Sequence, residues 1–584
     1  MKTIKSFLLA GALIVAAGTA FTSCDVNTTT VMFAEDHNLT SARDTVYSVL
    51  GIINKLQMLA DQTVLLGEVR GDLVTTALEF NEGEDFTALG KLANFEQGDD
   101  TTYNNYSNYY AVINNCNYFI SRANEDLMSH QQSIFLKEIA VVKAYRAWMY
   151  LQLAKIYGTV PFYTEPLLSY SDIQAVANDP TNRKGMKDIC TWLIEDLKPY
   201  VEVSTPSYSS FTYGDNVTID SRLFFFPIKL VLGDLYLWKG TYTSEADDYA
   251  KAAQYYRDYL YENEKLASST FAIKYTTDQF LGINFNSWRS QFSQITSADR
   301  IAVIPMALKA AYGRTSNVSS IFSSKLVSSP QLDDLSDSTF YCYASNTTEF
   351  SLIRDSIYTS TWYNYTYTPG ELAYTRGDLR LDGSCMSNLS GTKGGRFITK
   401  QNASNPHVTI YRTGIVYYRL AEAINRAGFP ITAFTMLKYG LSTGNLIKYD
   451  KNGEYARLKA SGYTFFDLGD NQNIGLHAKG CGNTEMDALH YSFPTINVVT
   501  PTISDSIDAV ENLICNENAF ESAFEGQRFF DLMRMSIRRN DPSFLASRIA
   551  RRNHPNASDS EIQATALYQK LLNTSNWYLP MIDK

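Results

Sequence analysis

The sequence predicts an all-α fold: a tetratricopeptide-like helical-hairpin scaffold carrying a long loop-rich insertion that forms a ligand-binding face. Three observations predict it. Apolar residues recur at helical spacing in one segment after another, as at Ile139, Val142, Tyr145, Met149, Leu153 and Ile156. The pair LVLGDLYLWKG and DDYAKAAQYYRDYL sets Leu232, Gly233 and Tyr236 against Ala252, Ala253 and Tyr256. These small residues let two helices approach closely, in a loose approximation to the tetratricopeptide pattern. Residues 265–405 lose the helical period and are rich in Ser, Thr, Tyr, Gly and Asn. Long irregular stretches on a rigid scaffold are where binding residues concentrate.

The elements follow in order. The chain opens MKTIKSFLLAGALIVAAGTAFTSC. Lys2 and Lys5 make a short positive region, and 7–21 is an apolar run too short to span a bilayer, the makeup of a secretory signal. Where an ordinary signal ends in an A-x-A-like site, this one ends Phe21-Thr22-Ser23-Cys24 and resembles a bacterial lipobox, with Phe21 in place of the commoner Leu. A thiol can carry acyl chains, and each buried CH₂ adds about 0.8 kcal/mol of membrane affinity. Residues 25–40 read as a polar tether. A first helix is predicted over 41–66, then a polar loop over 79–101. Helices follow over 103–128, 138–157 and 186–197; the second stops at Gly158 with Pro161 just beyond. The hairpin occupies 221–238 and 247–261. After the insertion, helices are predicted over 411–427, 432–439 and 509–536.

Composition narrows the function classes. The chain has 584 residues, 45% hydrophobic and 19% charged, with 40 tyrosines and a net charge of −10. That supports a large core and leaves no basic footprint for nucleic acid. A low-charge surface rich in Tyr, Asn, Ser and Thr suits neutral polar ligands. Besides Cys24 there are cysteines at 116, 190, 342, 385, 481 and 515, with no CxxC and no spacing that dictates pairing.

Five segments, in order, resemble the SusD/RagB-like outer-membrane lipoproteins of Bacteroidota. They are LGEVRGDLV (66–74), VVKAYRAWMYLQLAKIYGTVPF (141–162), YYRLAEAINRAGFPITAFTMLKYGL (417–441), GLHAKGCG (475–482) and AFESAFEGQRFFDLMR (519–534). Two positions depart from the family: Asn518 follows Glu517 where Arg is common, and Cys481 stands where a small variable residue is expected. The resemblance implies a signal peptide over 1–23, a lipidated N-terminus and tether over 24–40, and a single SusD-like domain over 41–584. Within that domain the helical scaffold would occupy 41–264 and 406–540. It implies a surface protein, anchored in the outer membrane through Cys24, that binds oligosaccharides or sometimes peptides. The protein would sit as a lid on a SusC-like TonB-dependent transporter, without cofactor or catalysis. Surface export in this group goes with acidic residues after the lipidated Cys, and here only Asp25 is present.

In the family, ligand contacts come from the loop after the first helix and from the loop before a short Ile-Phe helix. The second maps onto AAYGRTSNVSSIF (310–322), making Tyr312, Arg314 and Asn317 candidates; the first offers Phe95 and Asp99. Starch-binding members have Trp close to that Ile-Phe, where this chain has Val318. Read from the residues, TSTWYNYTYTPG adds Trp362 and Tyr363, aromatic faces for the C–H side of a pyranose on a stretch whose alternation fits a strand. Trp148, Trp238 and Trp288 read as core.

Other constellations carry less. Glu521, Glu525, Arg528, Asp531 and Arg534 lie three or four apart; on one helix they make a salt-bridge ladder rather than an acid and base flanking a glycosidic bond. His477, Cys481, Glu485 and His490 match no zinc spacing, and Gly475, Gly480 and Gly482 point to a tight turn. Two Arg-Gly-Asp tripeptides, at 70–72 and 376–378, are too short to imply adhesion. No nucleophile elbow, P-loop or dinucleotide fingerprint appears. A peptide-capture protein of the same architecture, a surface glycoside hydrolase and a tetratricopeptide adaptor with only protein partners remain as alternative readings.

Overall fold

A computed structural model describes Leu39 and residues 42–582, apart from 77–83, 99, 101, 213–217, 264–276, 279–281, 284–285, 295–296, 345–349, 354–356, 358–362, 367–370, 387–392, 402–403, 441, 468–474 and 483. The described chain is mostly helical, and its strands pair only as two-stranded ladders.

The helix predicted over 41–66 is two helices, α1 (Ala42–Leu56) and α2 (Ala60–Glu68), separated by a 3₁₀ turn at Gln57–Leu59. The polar loop predicted over 79–101 contains a helix, α3 (Glu84–Ala93). Ala88, Leu89, Leu92 and Ala93 are its buried side, a stripe too short to stand out among Gly, Glu and Asp. α4 (Tyr106–Arg122) stops at Ala123, whose backbone is extended. α5 (Leu136–Tyr157) is buried on almost all sides and packs against α1 and α4. It ends at Gly158, where φ is +75° and a side chain would press on Tyr578 at 3.2 Å.

α6 (Tyr170–Asn178) buries nothing and starts at a capping box between Ser169 and Asp172. α7 (Met186–Leu197) packs on α5 and on α8 (Ile228–Thr243). The sequence places the start of α8 at 221, but Pro227 delays it, and Ser221–Phe224 forms a 3₁₀ turn instead. α8 pairs with α9 (Ala246–Glu262). A Cβ on Gly233 would lie 2.5 Å from the Tyr256 ring and one on Gly240 2.8 Å from Tyr249, so the small residues do permit the close approach.

The 265–405 stretch is stitched to the scaffold. Its strand Arg300–Ile304 is buried throughout and pairs antiparallel with Val408–Arg412. Its strand Leu326–Ser328 pairs with Val74–Thr76. Between them lies α10 (Val318–Ser324), and further on α11 (Leu379–Ser384). Then α12 (Thr413–Arg426) packs on α9, followed by α13 (Pro430–Lys438).

The helix predicted over 509–536 is α14 (Ile503–Glu521) and α15 (Arg528–Arg539), broken by a turn at 522–527. Phe524 and Gly526 have φ of +68° and +84° there. The cause is tertiary: a Cβ on Gly67 of α2 would fall 1.9 Å from the Gly526 carbonyl oxygen, so two backbones touch. One hydrophobic cluster runs from Leu39 to Leu579, including Trp148 and Trp238; Trp288 is buried as well. The six described cysteines are buried and unpaired.

Candidate functional site

Residues 305–317 form a loop held at its base and open at its tip. The Gln57 side chain donates to the Pro305 carbonyl at 2.6 Å. Ala307 N–H donates to the Arg314 carbonyl at 2.8 Å, closing the loop on itself. Asp61, in the first turn of α2, accepts from the Ser316 hydroxyl at 2.6 Å and from the Asn317 N–H at 3.1 Å. Beyond this anchor α10 buries Val318, Ile321 and Phe322, with the Phe322 ring 6.0 Å from Phe524.

Residues 309–314 and Asn317 are exposed, and Tyr312 is 51% exposed. An aromatic face, a guanidinium and an amide on one anchored loop can stack on a sugar ring and hydrogen-bond its hydroxyls. Asp61 was not singled out in the sequence: its partners lie 255 and 256 residues away, and a lone acid in a helical first turn reads as ordinary.

Of the other candidates, Phe95 lies elsewhere. Phe95 is half-buried, 5.6 Å from the Phe529 ring, with the Arg70 guanidinium 5.0 Å from its own ring. Arg70 is fully buried between Phe95 and Phe529, and burial pushes its pKa down to about 9. Tyr363 opens a strand, Tyr363–Thr366, that pairs with Phe350–Ile353. Trp362, Asp99 and Cys24 lie outside the described residues.

The charged cluster of the last motif is arranged differently from the ladder expected on one helix. Asp531 and Arg534 pair locally, at 2.7 Å. Glu521 and Glu525 turn inward and meet Arg412 at 2.7 Å each. Lys400 adds a 2.6 Å contact to Glu525. Arg380, fully buried, meets Asp378 and Glu517 at 2.7 Å and Glu521 at 3.2 Å. Arg528 forks onto Asp72 at 2.6 and 2.8 Å. Burial raises the Glu525 pKa, but Arg412 and Lys400 outweigh it and hold the group below its ordinary value. These carboxylates are internal counter-ions, sealed from solvent, and no acid–base pair for a glycosidic bond is formed by them.

His477, Cys481, Glu485 and His490 are dispersed. His477 hydrogen-bonds Glu517 and stacks on Tyr491 at 3.7 Å. Cys481 contacts Asp378 at 3.5 Å, and His490 stacks on Phe340 at 3.8 Å. Gly482 does turn the chain, with φ of +72°. The Arg-Gly-Asp at 70–72 is sealed in the core, as is Asp378 of the second. Among the described residues no helix is long and apolar enough to cross a membrane.

No protein-family model matches the chain, and no curated protein does. Among solved structures it matches many SusD superfamily proteins from Bacteroides over most of its length. One, a SusD superfamily protein from Bacteroides thetaiotaomicron, is 13% identical over 85% of this chain and 89% of its own, with a TM-score of 0.49. A putative sugar binding protein from Bacteroides vulgatus is 14% identical over 85% and 88%, also at 0.49. A SusD-like carbohydrate binding protein from Bacteroides vulgatus is 15% identical over 85% and 84%, at 0.46.

Proposed function

We propose that this protein is a non-enzymatic capture lipoprotein. It binds oligosaccharides at the cell surface and passes them to a SusC-like TonB-dependent transporter in the outer membrane. The observation that carries the reading is the 305–317 loop, where Tyr312 is half open to solvent on a base fixed by Asp61. A preorganised aromatic platform loses little entropy when a sugar stacks on it. The leader ending in Ser23-Cys24 supports a lipid anchor, and the five family-like segments support the transporter partner. The sealed carboxylates of the last motif support binding without hydrolysis.

The test is a glycan and peptide array on the mature protein, followed by calorimetry on every hit. An oligosaccharide hit at micromolar to millimolar affinity, uncleaved after long incubation, is expected. Tyr312→Ala should weaken it about tenfold with folding intact, the loss of one stacking face. Peptide hits with silent glycans would replace the ligand class, and cleavage of a bound glycan would overturn the non-enzymatic reading.

A further inference from the structure

A second groove lies on the helical scaffold. It has a volume of about 720 Å³ and opens between α7 and the ribbon Arg183–Lys184. That volume falls in the range of small-ligand clefts, roughly 300–1,000 Å³. Asp188, Thr191, Trp192 and Glu195 line one wall, spaced i, i+3, i+4 and i+7, so one face of α7 is presented over two turns. Arg183 and Lys184 form the other wall, on a ribbon paired with Val160–Pro161.

Trp192 sets this groove apart. The other four described tryptophans are at most 4% exposed, whereas Trp192 is only partly buried. Trp192 packs on the core with one side, and its other side forms part of the groove wall. The walls are held in place. Phe162 meets the Trp192 ring edge-on at 5.2 Å, and the Arg146 guanidinium lies 5.3 Å from it. Arg146 is itself tied to Asp196 at 2.7 Å and Asn117 at 2.9 Å. Arg183 donates to the Thr159 carbonyl at 2.9 Å, and Lys184 caps the Phe162 ring at 4.9 Å.

We propose that this groove is a second, independent binding site for a neutral oligosaccharide, with Trp192 as the stacking platform. Arg183 and Lys184 would donate to the hydroxyls and Asp188 and Glu195 accept from them. The chemistry favours a neutral polyol. Both signs of charge line the walls, Arg183 and Lys184 against Asp188, Glu195 and Asp196, so neither an anion nor a cation is strongly preferred, and a purely apolar ligand would strip water from charged groups without replacing it. A site on the helical scaffold gives a long chain a second foothold, and tethered sites raise apparent affinity without new contacts at either one. The proposal rests on the capture reading for its ligand class alone.

The test uses the mature protein and a panel of neutral hexasaccharides of glucose, mannose, xylose and galactose. Calorimetry and tryptophan emission read binding in the unaltered protein and in Trp192→Ala, Arg183→Ala and Tyr312→Ala. The expected result is a sugar that quenches emission and whose affinity falls about tenfold in Trp192→Ala. It should fall severalfold in Arg183→Ala, a surface change that leaves the core untouched, and hold steady in Tyr312→Ala. Binding unchanged in Arg183→Ala and in a folded Trp192→Ala overturns the groove, as does a panel in which no sugar binds. The loop reading falls separately, if no binding event is lost with Tyr312→Ala.

Discussion

Arg380 shows what single residues do in this protein. It is fully buried and surrounded by Asp378, Glu517 and Glu521, and Tyr418 hydroxyl lies 2.9 Å away. Buried pairs of this kind contribute little net stability, yet removing one partner costs about 3–5 kcal/mol, because the others are left charged and dry. Their effect is to make one set of segments meet and to penalise any other. His407 is one buried group that ties stability to pH. Its Nδ1 accepts the Met306 N–H at 3.0 Å. Burial, and then Arg300, push its pKa from 6.5 down to about 3. As pH falls the unfolded chain therefore takes up the proton first. The stabilisation is whole above about 6.5, is lost progressively below it, and is gone near 3. His407→Asn keeps an acceptor for Met306 and removes the titration, so urea unfolding across that window should show a flatter acid slope. Equal slopes in the two proteins would assign the acid loss to other groups.

At the scale of elements, glycine separates contact from propensity. In a helix interior Gly→Ala normally gains about 1 kcal/mol. Gly51, on α1, has nothing within 4 Å of the Cβ position, so Gly51→Ala should raise the melting temperature. Gly233, on α8, would put its Cβ 2.5 Å from Tyr256. Overpacking there costs about 1–3 kcal/mol, which should exceed the propensity gain, and Gly233→Ala should melt lower. Thermal unfolding of both variants decides it; a rise in Gly233→Ala would mean that the helix pair can spread. The helical hairpin was legible because its small and large residues face each other within thirty-five residues of sequence. α6 was not, because it buries no side chain and is marked only by the Ser169–Asp172 cap. Nor was the 522–527 break, since the contact that demands it lies with Gly67, far along the chain.

The fold is closed by residues 552–580, which lie beyond the last helix that the sequence pattern predicts. Trp577 is buried and its carbonyl accepts from Arg70. Leu579 N–H donates to the Ile156 carbonyl at 2.9 Å, and Asn104 donates to Pro580 at 2.8 Å. Arg552 donates to the carbonyls of Val69, Gly71 and Ala93 at 2.9–3.0 Å. The C-terminal segment thus straps α2, α3 and α5 together. Truncation after Leu572 removes the buried indole, worth about 3–5 kcal/mol by itself, and strips Arg70 of its carbonyl. The truncated protein should melt lower and be cleaved faster by protease near Arg70 and Asn104, whose partners it loses. A melt matching the full chain would show that the strap is dispensable.

Helical character and the close α8–α9 pair are written in the sequence, because period and small-against-large facing act within a few tens of positions. The loop before Ile321-Phe322 carries no such mark and is singled out only by the family resemblance. Where the charges go is set by contacts between distant segments. Arg412 reaches Glu525 across 113 residues, and Arg528 reaches Asp72 across 456. Such contacts also decide that Phe95 packs on Phe529 while Tyr312 and Trp192 keep solvent on one side. The reason is physical. An ionisable or aromatic side chain carries no periodic mark of its partner, and whether it is buried depends on what distant segment the fold lays over it.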